Sequence, residues 1–289
     1  MKLGLIDVGG GMRGIYAAGV LDYCLEHDIH FDYTVGVSAG SANIASFLAG
    51  QRGRNYKFYH DYSFRKEYMG IEQYLKTGSF LNLKYIYAGL SNSGGENPLD
   101  YDAMMNNPSD FVVVATNALT GKARYFQKAD MERNSYTPLM ASSCVPGVDR
   151  PIMIDDIPYF DGAASDPVPI NRAIEDGCTD YVLLLTKPAD TQRSSGKDDF
   201  IANSIRRRYP QAASGLRCRA ERYNRAVEEA QIHEKEGFSL IVAPDDITGV
   251  DTLKKDRKAL DRLYRKGFED GRRISDWLDR KNNIFYLKY

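Results

Sequence analysis

Two strand–turn–helix units follow one another at the start of this 289-residue chain. An apolar segment at residues 3–8 is followed by a run of glycines and then by apolar and small residues at helical spacing up to about Glu26. A second apolar segment, residues 33–37, leads through Ser38 into another stretch rich in small residues. Strands that alternate with helices in this way favour a parallel sheet with crossover helices. We therefore expect a three-layer α/β/α sandwich with a mainly parallel central sheet.

The rest of the chain extends this pattern. Continuous apolar segments predict further strands at residues 110–116, 181–186 and 238–243, and residues 122–127 are expected to pair near the first of them. Residues 251–278 have apolar and small residues on one helical stripe and predict a single long amphipathic helix. The polar loop at residues 191–197 is the best candidate for a boundary.

Composition excludes several classes of protein. The formal net charge is −1, so no field of the whole chain attracts nucleic acid. The four cysteines are far apart and form no Cys-x-x-Cys pair, which argues against a disulfide scaffold or a zinc site. The N-terminus lacks the long apolar core of a signal peptide, and no apolar run is long enough to span a membrane. We expect a cytoplasmic protein without a transmembrane segment.

Gly36, Ser38 and Gly40 form a Gly-x-Ser-x-Gly motif between a predicted strand and a predicted helix. In this motif the serine occupies a strained strand-to-helix turn, and the glycines remove the Cβ clashes that the turn would create. The helix N-terminus beneath the serine adds backbone N–H donors and a positive dipole end. The alternative interpretation is a serine N-cap between two glycines that only serve packing.

The glycines at 9–14 allow two interpretations. Gly9, Gly11 and Gly14 match the dinucleotide-binding fingerprint, but the second strand ends at residues 36–38 without the acidic residue that would bind the ribose. Consecutive glycine N–H groups also form oxyanion holes, in which each donor contributes roughly 10²–10³ in rate. This loop and Ser38 follow adjacent strands, so both can reach the same carbonyl carbon.

A general base for the serine is the third requirement. His233 is the only histidine after Asp161, and it lies in a charged, solvated stretch, while the other three histidines have no motif around them. The sequence therefore favours a serine–aspartate dyad in which Asp161, next to Gly162 and Ala163, accepts the Ser38 proton. The alternative for Asp161 is a turn residue before glycine.

Taken together, the glycine-rich loop 9–14, the motif 36–40 and the Asp-Gly-Ala motif 161–163 resemble the patatin-like phospholipase family. Similarity also covers the segments 115–117 and 141–146. The resemblance extends over about the first 175 residues, so it implies a patatin-like catalytic domain at residues 1–175 and a C-terminal α/β extension at residues 176–289 that completes or packs on the core. The extension, with Arg222-Tyr223-Asn224 and the final long helix, is similar to bacterial members.

The resemblance implies roles for individual residues. Ser38 is the nucleophile, Asp161 the general base, and Gly10 and Gly11 supply the oxyanion N–H groups. Arg13 orients the loop or adds positive charge. The oxyanion hole as a whole comprises Gly9, Gly10, Gly11 and Arg13, and the supporting positions are Gly14, Gly36, Gly40, Gly162 and Ala163. One departure is Val8, where many members carry an acidic residue or glycine, and it bears on the substrate rim.

The implied reaction is hydrolysis of carboxylic esters of lipids, phospholipid or acylglycerol, through an acyl-enzyme and without a metal or organic cofactor. Transient contact with a membrane surface is expected. The aromatic residues of the segment 54–90 form either an acyl groove or ordinary helix packing. The basic residues 206–208 either meet phosphate head groups or form a solvated helix face. A non-catalytic lipid-binding protein of the same fold and a nucleotide-binding oxidoreductase are the alternatives.

Overall fold

A computed structural model describes residues 1–286 of the chain. Eight strands among these residues form one sheet in the order β5-β6-β3-β2-β1-β7-β8, with β4 paired to β3. The strands are β1 (Leu3–Asp7), β2 (Tyr33–Val37), β3 (Asp110–Asn117), β4 (Ala123–Gln127), β5 (Ile152–Ile154), β6 (Ile157–Asp161), β7 (Asp180–Leu184) and β8 (Ser239–Val242).

The sheet is mixed, with a parallel centre. The five strands β3, β2, β1, β7 and β8 run parallel, while β4, β5 and β6 pair antiparallel at one side. β1, β2, β7 and β8 are buried throughout, as strands covered on both faces by helices must be. This confirms the expected α/β fold with a mainly parallel sheet. β7 and β8, which follow the predicted boundary at residue 175, belong to the same sheet as β1.

The helices of the described residues cover both faces of the sheet. Their bounds are α1 (Ile15–Glu26), α2 (Ala39–Leu48), α3 (Arg54–His60), α4 (Ile71–Thr77), α5 (Tyr101–Asn106), α6 (Thr137–Ser142), α7 (Ile170–Glu175), α8 (Gly196–Ile205), α9 (Pro210–Arg217), α10 (Arg219–Lys235), α11 (Arg257–Asp270) and α12 (Arg272–Tyr286). One core cluster packs α1, α2 and α11 on the face that carries Leu5 and Val113. A second packs α7 and α10 on the face that carries Ile6 and Val112.

The prediction of one helix over residues 251–278 is wrong. α11 begins only at Arg257, where the Asp256 side chain accepts a hydrogen bond from the Ala259 N–H at 2.8 Å, and Gly271 separates α11 from α12. Residues 251–256 form a loop that contacts the glycine loop: the Met12 N–H donates to the Thr252 carbonyl at 3.0 Å. Amphipathic spacing did not reveal this contact.

Candidate active site

Ser38 occupies a strained turn between β2 and α2. Its φ of 57° is a conformation that residues other than glycine rarely adopt. A Cβ on Gly36 would lie 2.5 Å from the Ser41 Cα, and a Cβ on Gly40 would lie 2.3 Å from the Asp7 carbonyl oxygen. Both glycines are therefore required by close backbone approach, and the turn presents Ser38 at the carboxyl end of β2. We call residues 36–40 the elbow.

β3 brings Asp161 to the elbow. Val37 pairs with Val114 on β3, and Asp161 pairs with Ala115, the next residue along the same strand. β4 also pairs with this part of β3 and occupies one edge of β3. β2 and β6 must therefore both lie along the opposite edge of β3, where the end of β2 meets the end of β6. The structure thus places Asp161 next to Ser38, although 123 residues of sequence separate them.

The carboxyl group of Asp161 is buried and anchored. It accepts a hydrogen bond from the Ala163 N–H at 2.8 Å, within the turn that a Cβ on Gly162 would block at 2.2 Å from the Val114 carbonyl oxygen. Burial raises the pKa of Asp161 above its ordinary value, while hydrogen bonds from the Ser38 hydroxyl and the Ala163 N–H oppose that rise. A carboxylate with a raised pKa beside a hydroxyl is suited to accept its proton.

The end of α6 supports both residues. The Ser38 N–H donates to the Ser142 hydroxyl at 2.8 Å, and the Asp161 N–H donates to the Cys144 carbonyl at 2.7 Å. Sequence reasoning singled out residues 141–146 by resemblance alone and gave them no role. Nothing local in the sequence indicates that Ser142 reaches the elbow, since the contact spans more than 100 residues.

The glycine loop, residues 9–14, follows β1 beside the elbow. The Gly9 N–H donates to the Asp7 carboxylate at 2.9 Å, and the Gly9 carbonyl accepts from the Thr186 hydroxyl. Within residues 1–286, the N–H groups of Gly10 and Gly11 donate no hydrogen bond. Both glycines are half-buried, and two free donors beside a candidate nucleophile are suited to an oxyanion.

Arg13 and Gly14 have different surroundings. The buried Arg13 guanidinium donates to the Asp251 carboxylate and, at 3.0 Å, to the Thr252 hydroxyl, so it ties the glycine loop to the segment before α11. The Gly14 carbonyl accepts from the buried Asn43 side chain, which also donates to Asp7. A cavity of about 460 Å³ is lined by Ser38, Asp161, the first five residues of the glycine loop and Ala163.

Comparison with known proteins shows the family to which the chain belongs. The family model described as patatin-like phospholipase matches residues 8–174, more than half of the chain. The chain belongs to the patatin-like phospholipase family. This is a family of lipid hydrolases, and the match contains the elbow and the Asp161 turn. A second model, a domain of unknown function (DUF6363), matches residues 209–280.

One relative of this patatin-like protein and one solved structure of similar fold are informative. It is 28% identical over 193 residues to the uncharacterized protein YjjU of Escherichia coli K12, a match that spans 65% of this chain and 53% of that protein. The chain therefore spans about half the length of this curated relative. The crystal structure of VipD from Legionella pneumophila superimposes with a TM-score of 0.52 at 14% identity, covering 95% of this chain and 67% of that one. This likeness shows the fold.

The C-terminal part of the patatin-like chain contacts the site through the Arg222-Tyr223-Asn224 motif. The Arg222 guanidinium donates to the Ala164 carbonyl at 2.8 Å, next to the Asp161 turn. The Asn224 side chain accepts from the Arg193 N–H and donates to the Arg193 carbonyl, at 2.8 and 3.0 Å. Tyr223 lines the cavity. The motif therefore fixes the loop after β7 against the Asp161 turn.

The aromatic segment 54–90 is both core and cavity wall. Phe58, Tyr59, Tyr68 and Tyr87 are buried, and each of them lines the cavity. The two sequence interpretations of this segment are therefore compatible. Val8, the departure from the family pattern, is also buried and lines the cavity.

None of the histidines among residues 1–286 lines the cavity. His233 lies on α10, where its Nδ1 atom is 2.9 Å from the Tyr181 hydroxyl. The same residues contain no group of three His, Cys, Asp or Glu side chains arranged to hold a metal ion. The side chains of Ser38 and Asp161 remain as the candidate nucleophile and base that face the cavity.

Proposed function

We propose that this protein is a serine acyl hydrolase that cleaves carboxylic esters of lipids through an acyl-enzyme. The supporting observation is the shared edge of β3, where β2 leads directly into Ser38 and β6 ends in Asp161. Ser38 attacks the ester carbonyl while Asp161 takes its proton, and the Gly10 and Gly11 N–H groups stabilise the oxyanion. Asp161 returns the proton to the leaving alcohol and then activates the water that releases the acid.

The cavity favours a lipid as the source of the ester. Beyond the polar end at Ser38, its wall is formed by buried apolar side chains such as Phe58, Leu83, Ile86 and Leu139. An apolar wall of this kind is suited to an acyl chain because the chain loses its contact with water there. We assign this wall to the acyl group of the substrate.

Labelling with a fluorophosphonate, followed by mass mapping, tests the proposal. We expect one adduct, on Ser38, in the wild type. Ser38→Ala should abolish it, and Asp161→Asn should slow it strongly. Ser143→Ala is the matched control, because the Ser143 hydroxyl lines the same cavity but is hydrogen-bonded to Tyr87. An adduct on another residue would overturn the assignment. Tight NADH binding to an unlabelled protein would favour the oxidoreductase, and lipid binding without acylation the non-catalytic alternative.

Contact with a lipid surface is part of this proposal. None of the helices among residues 1–286 is long and apolar enough to cross a membrane. Met69 and Leu81 pair with one another, and both line the cavity. The residues between them include α4. On α4, Ile71 and Leu75 are 73% and 79% exposed. Exposed apolar side chains one helical turn apart at a cavity mouth are suited to insert into a lipid surface.

α8 also carries an exposed apolar side chain close to the cavity. Phe200 is 79% exposed and precedes Ile201, which lines the cavity, and the exposed basic residues 206–208 follow the end of the helix. Co-sedimentation with vesicles of phosphatidylglycerol and phosphatidylcholine tests the contact. Leu75→Ser and Phe200→Ser should reduce binding, whereas Leu119→Ser, at an exposed leucine in the turn between β3 and β4, should not. Equal binding by all variants would contradict the contact.

A further inference from the structure

A buried guanidinium lies in the wall of the cavity that we assign to the acyl chain. Arg54, the first residue of α3, is only 8% exposed, and it lines the cavity together with Ser91 and Tyr136. Its guanidinium carbon is 4.7 Å from the centre of the Phe58 ring, which belongs to the apolar wall. A charged group therefore interrupts a wall that is otherwise suited to hydrocarbon.

α2 sets the distance between Arg54 and the candidate nucleophile. Ala42 and Ala45 on α2 line the cavity, so the cavity follows this helix away from Ser38. Further along the same helix, the Ser46 hydroxyl accepts a hydrogen bond from Arg54 Nη1 at 2.8 Å. Because an α-helix rises about 1.5 Å per residue, Ser46 lies roughly 12 Å along α2 from Ser38. Arg54 is thus at the opposite end of α2 from the elbow.

Every acceptor that Arg54 has within residues 1–286 is neutral. Nη1 donates to the Ser46 hydroxyl, and Nη2 donates to the Ser91 hydroxyl at 2.9 Å and to the Asn97 carbonyl at 3.1 Å. The Nε atom is buried without a hydrogen-bond partner. A guanidinium has five N–H donors, so these contacts use only part of its capacity and none of them supplies a negative charge.

The positive charge of Arg54 is therefore uncompensated among the described residues. Burial lowers the pKa of Arg54 to about 10, and the groups that oppose this fall are the hydroxyls of Tyr136, Tyr87 and Tyr62. A group with this pKa is still charged at neutral pH. A buried ion is costly unless an opposite charge accompanies it, and buried charges in proteins are usually paired. An anion at this end of the cavity would supply the missing partner.

The route from Ser38 to Arg54 limits what this anion can be part of. The side chains of Ala42, Ala45 and Phe58 along the route are apolar, so a ligand that reaches Arg54 from Ser38 needs an apolar middle part. A carboxylate at the end of a methylene chain meets this requirement, and it accepts strong charge-assisted hydrogen bonds from a guanidinium.

We propose that Arg54 binds a carboxylate at the far end of the acyl chain, so that the preferred substrates are esters of dicarboxylic acids in which one carboxyl group stays free. This inference depends on the proposed function of Ser38 and Asp161. The ester carbonyl would lie at Ser38, the methylene chain against α2, and the free carboxylate at Arg54.

Chain length distinguishes Arg54 from the positive charges nearer Ser38. We would compare p-nitrophenyl esters in two pairs of equal carbon number: the azelaic half-ester with the nonanoate, and the adipic half-ester with the hexanoate. The wild type should prefer the azelaic half-ester by about tenfold or more in kcat/KM, as for hydrogen bonds to a charged group. The adipic half-ester should be the poorer member of its pair, because its carboxylate ends against the apolar wall.

Two results with the wild type would overturn the proposal. One is the absence of any preference within the azelaic pair. The other is an equal preference for the half-ester in both pairs, which would assign the effect to charges nearer Ser38.

Substitution of Arg54 tests the assignment directly. Arg54→Gln should lose the preference within the azelaic pair, and Arg54→Lys, which keeps the charge, should retain part of it. Arg52→Gln is the matched control, since Arg52 is exposed and lies outside the cavity lining. A preference that persists in Arg54→Gln would contradict the proposal. An equal fall in kcat/KM for both members of the pair would show that Arg54 only supports the structure, and would overturn it as well.

A binding measurement separates failure of this inference from failure of the proposed function. If the function fails, no ester is cleaved and Ser38 does not react with a fluorophosphonate. Calorimetric titration of full-length Ser38→Ala with monomethyl azelate and with methyl nonanoate would still test Arg54. Affinity for monomethyl azelate about tenfold or more higher would support the site. Equal affinity, or no binding of monomethyl azelate, would overturn it, and this result holds even if Arg54→Gln does not fold.

Discussion

A Cβ atom on Gly9 would lie 2.2 Å from the Val37 carbonyl oxygen, so the glycine loop and the elbow are in direct backbone contact. This contact sets the position of the Gly10 and Gly11 N–H groups relative to Ser38. The candidate oxyanion hole and the candidate nucleophile are therefore parts of one rigid unit, and a side chain between them must separate them.

Gly9→Ala should lower kcat by about 10²–10³, the loss typical of a displaced oxyanion donor. Gly50→Ala is the matched control. Gly50 has a φ of +67°, close to the +65° of Gly9, but nothing lies within 4 Å of its added Cβ. Gly50→Ala therefore has the same backbone strain as Gly9→Ala but no steric clash, and it should retain activity. Steady-state kinetics on a dispersed ester would check both, and near-normal activity in Gly9→Ala would exclude this function of the contact.

Asp161 should determine the acid limb of the pH profile. Only its ionised form can accept the Ser38 proton, so kcat/KM should rise with pH through a pKa above the ordinary aspartate value. The positive charges of Arg193 and Arg219 lower this pKa. Arg193→Gln should therefore move the limb to higher pH, while Arg193→Lys should move it less.

The dependence of kcat/KM on pH, measured with the uncharged substrate p-nitrophenyl butyrate, would show this shift of the acid limb. His233→Ala, which removes the partner of Tyr181, should leave the profile unchanged. An acid limb that His233→Ala abolished would instead indicate a histidine base.

The acyl-chain wall predicts a change in chain-length preference. Leu83 is buried and lines the cavity, so Leu83→Trp should fill part of the space for the acyl group. We expect kcat/KM for a decanoyl ester to fall about tenfold or more relative to a butyryl ester, because each excluded methylene removes binding energy. Leu119→Trp, at an exposed site, should leave the ratio unchanged. A uniform loss on both esters would argue against the wall as the acyl site.

Much of this arrangement follows from local sequence. The strand at residues 33–37, the helix after Ser38 and the buried strand at residues 110–116 are all predicted from local sequence, and β2 matches the expected bounds. Ser38 and the glycine loop could be placed at one sheet edge because consecutive parallel strands end on the same side.

Non-local pairing could not be predicted in this way. The antiparallel pairing of β6 with β3 decides that Asp161 faces Ser38, and no pattern within either strand encodes it. Residues 251–256, before α11, form a loop that contacts the glycine loop, whereas their side-chain pattern continues the helical stripe that follows. Lys187 and Arg193 had no motif around them, so their position at the cavity became visible only in the folded chain.

The contribution of the Asn43–Asp7 hydrogen bond to the stability of the protein should depend on pH, because the Asp7 carboxylate is buried. Burial raises the pKa of Asp7 to about 6, so the folded state binds its proton more tightly than the unfolded chain, and this contribution to stability is lost as pH rises through about 6. The Asn43 amide donates to the carboxylate at 3.0 Å and favours its ionised form.

Asn43→Ala should therefore lose roughly 1–3 kcal/mol more stability at pH 8 than at pH 5, the cost of leaving a buried ion without a donor. Urea unfolding at the two pH values would measure this difference. Asn55→Ala is the control, since the buried Asn55 amide donates to the Asn43 carbonyl and not to Asp7. Asn55→Ala should lose the same stability at both pH values. An equal loss at pH 5 and pH 8 in Asn43→Ala would contradict the role of Asn43 as donor to the Asp7 carboxylate.

The two parts of the chain predicted at residues 1–175 and 176–289 should unfold together. α1 and α11 are in backbone contact: a Cβ on Gly267 would lie 2.0 Å from the Tyr16 carbonyl oxygen, and one on Gly19 would lie 2.2 Å from the Tyr264 carbonyl oxygen. We propose that residues 176–289 complete the core, because this contact leaves no room for independent motion of the helices.

Gly267→Ala should separate α1 from α11 and cost about 1–3 kcal/mol or more, although alanine favours a helix by about 1 kcal/mol over glycine. Activity should fall with stability, since the segment before α11 holds the glycine loop through Met12. Gly196→Ala, on α8 with nothing within 4 Å of the added Cβ, should cost no stability. Calorimetry should show one transition for the wild type. Two transitions, with only the second shifted by Gly267→Ala, would mean that residues 176–289 form a separate unit.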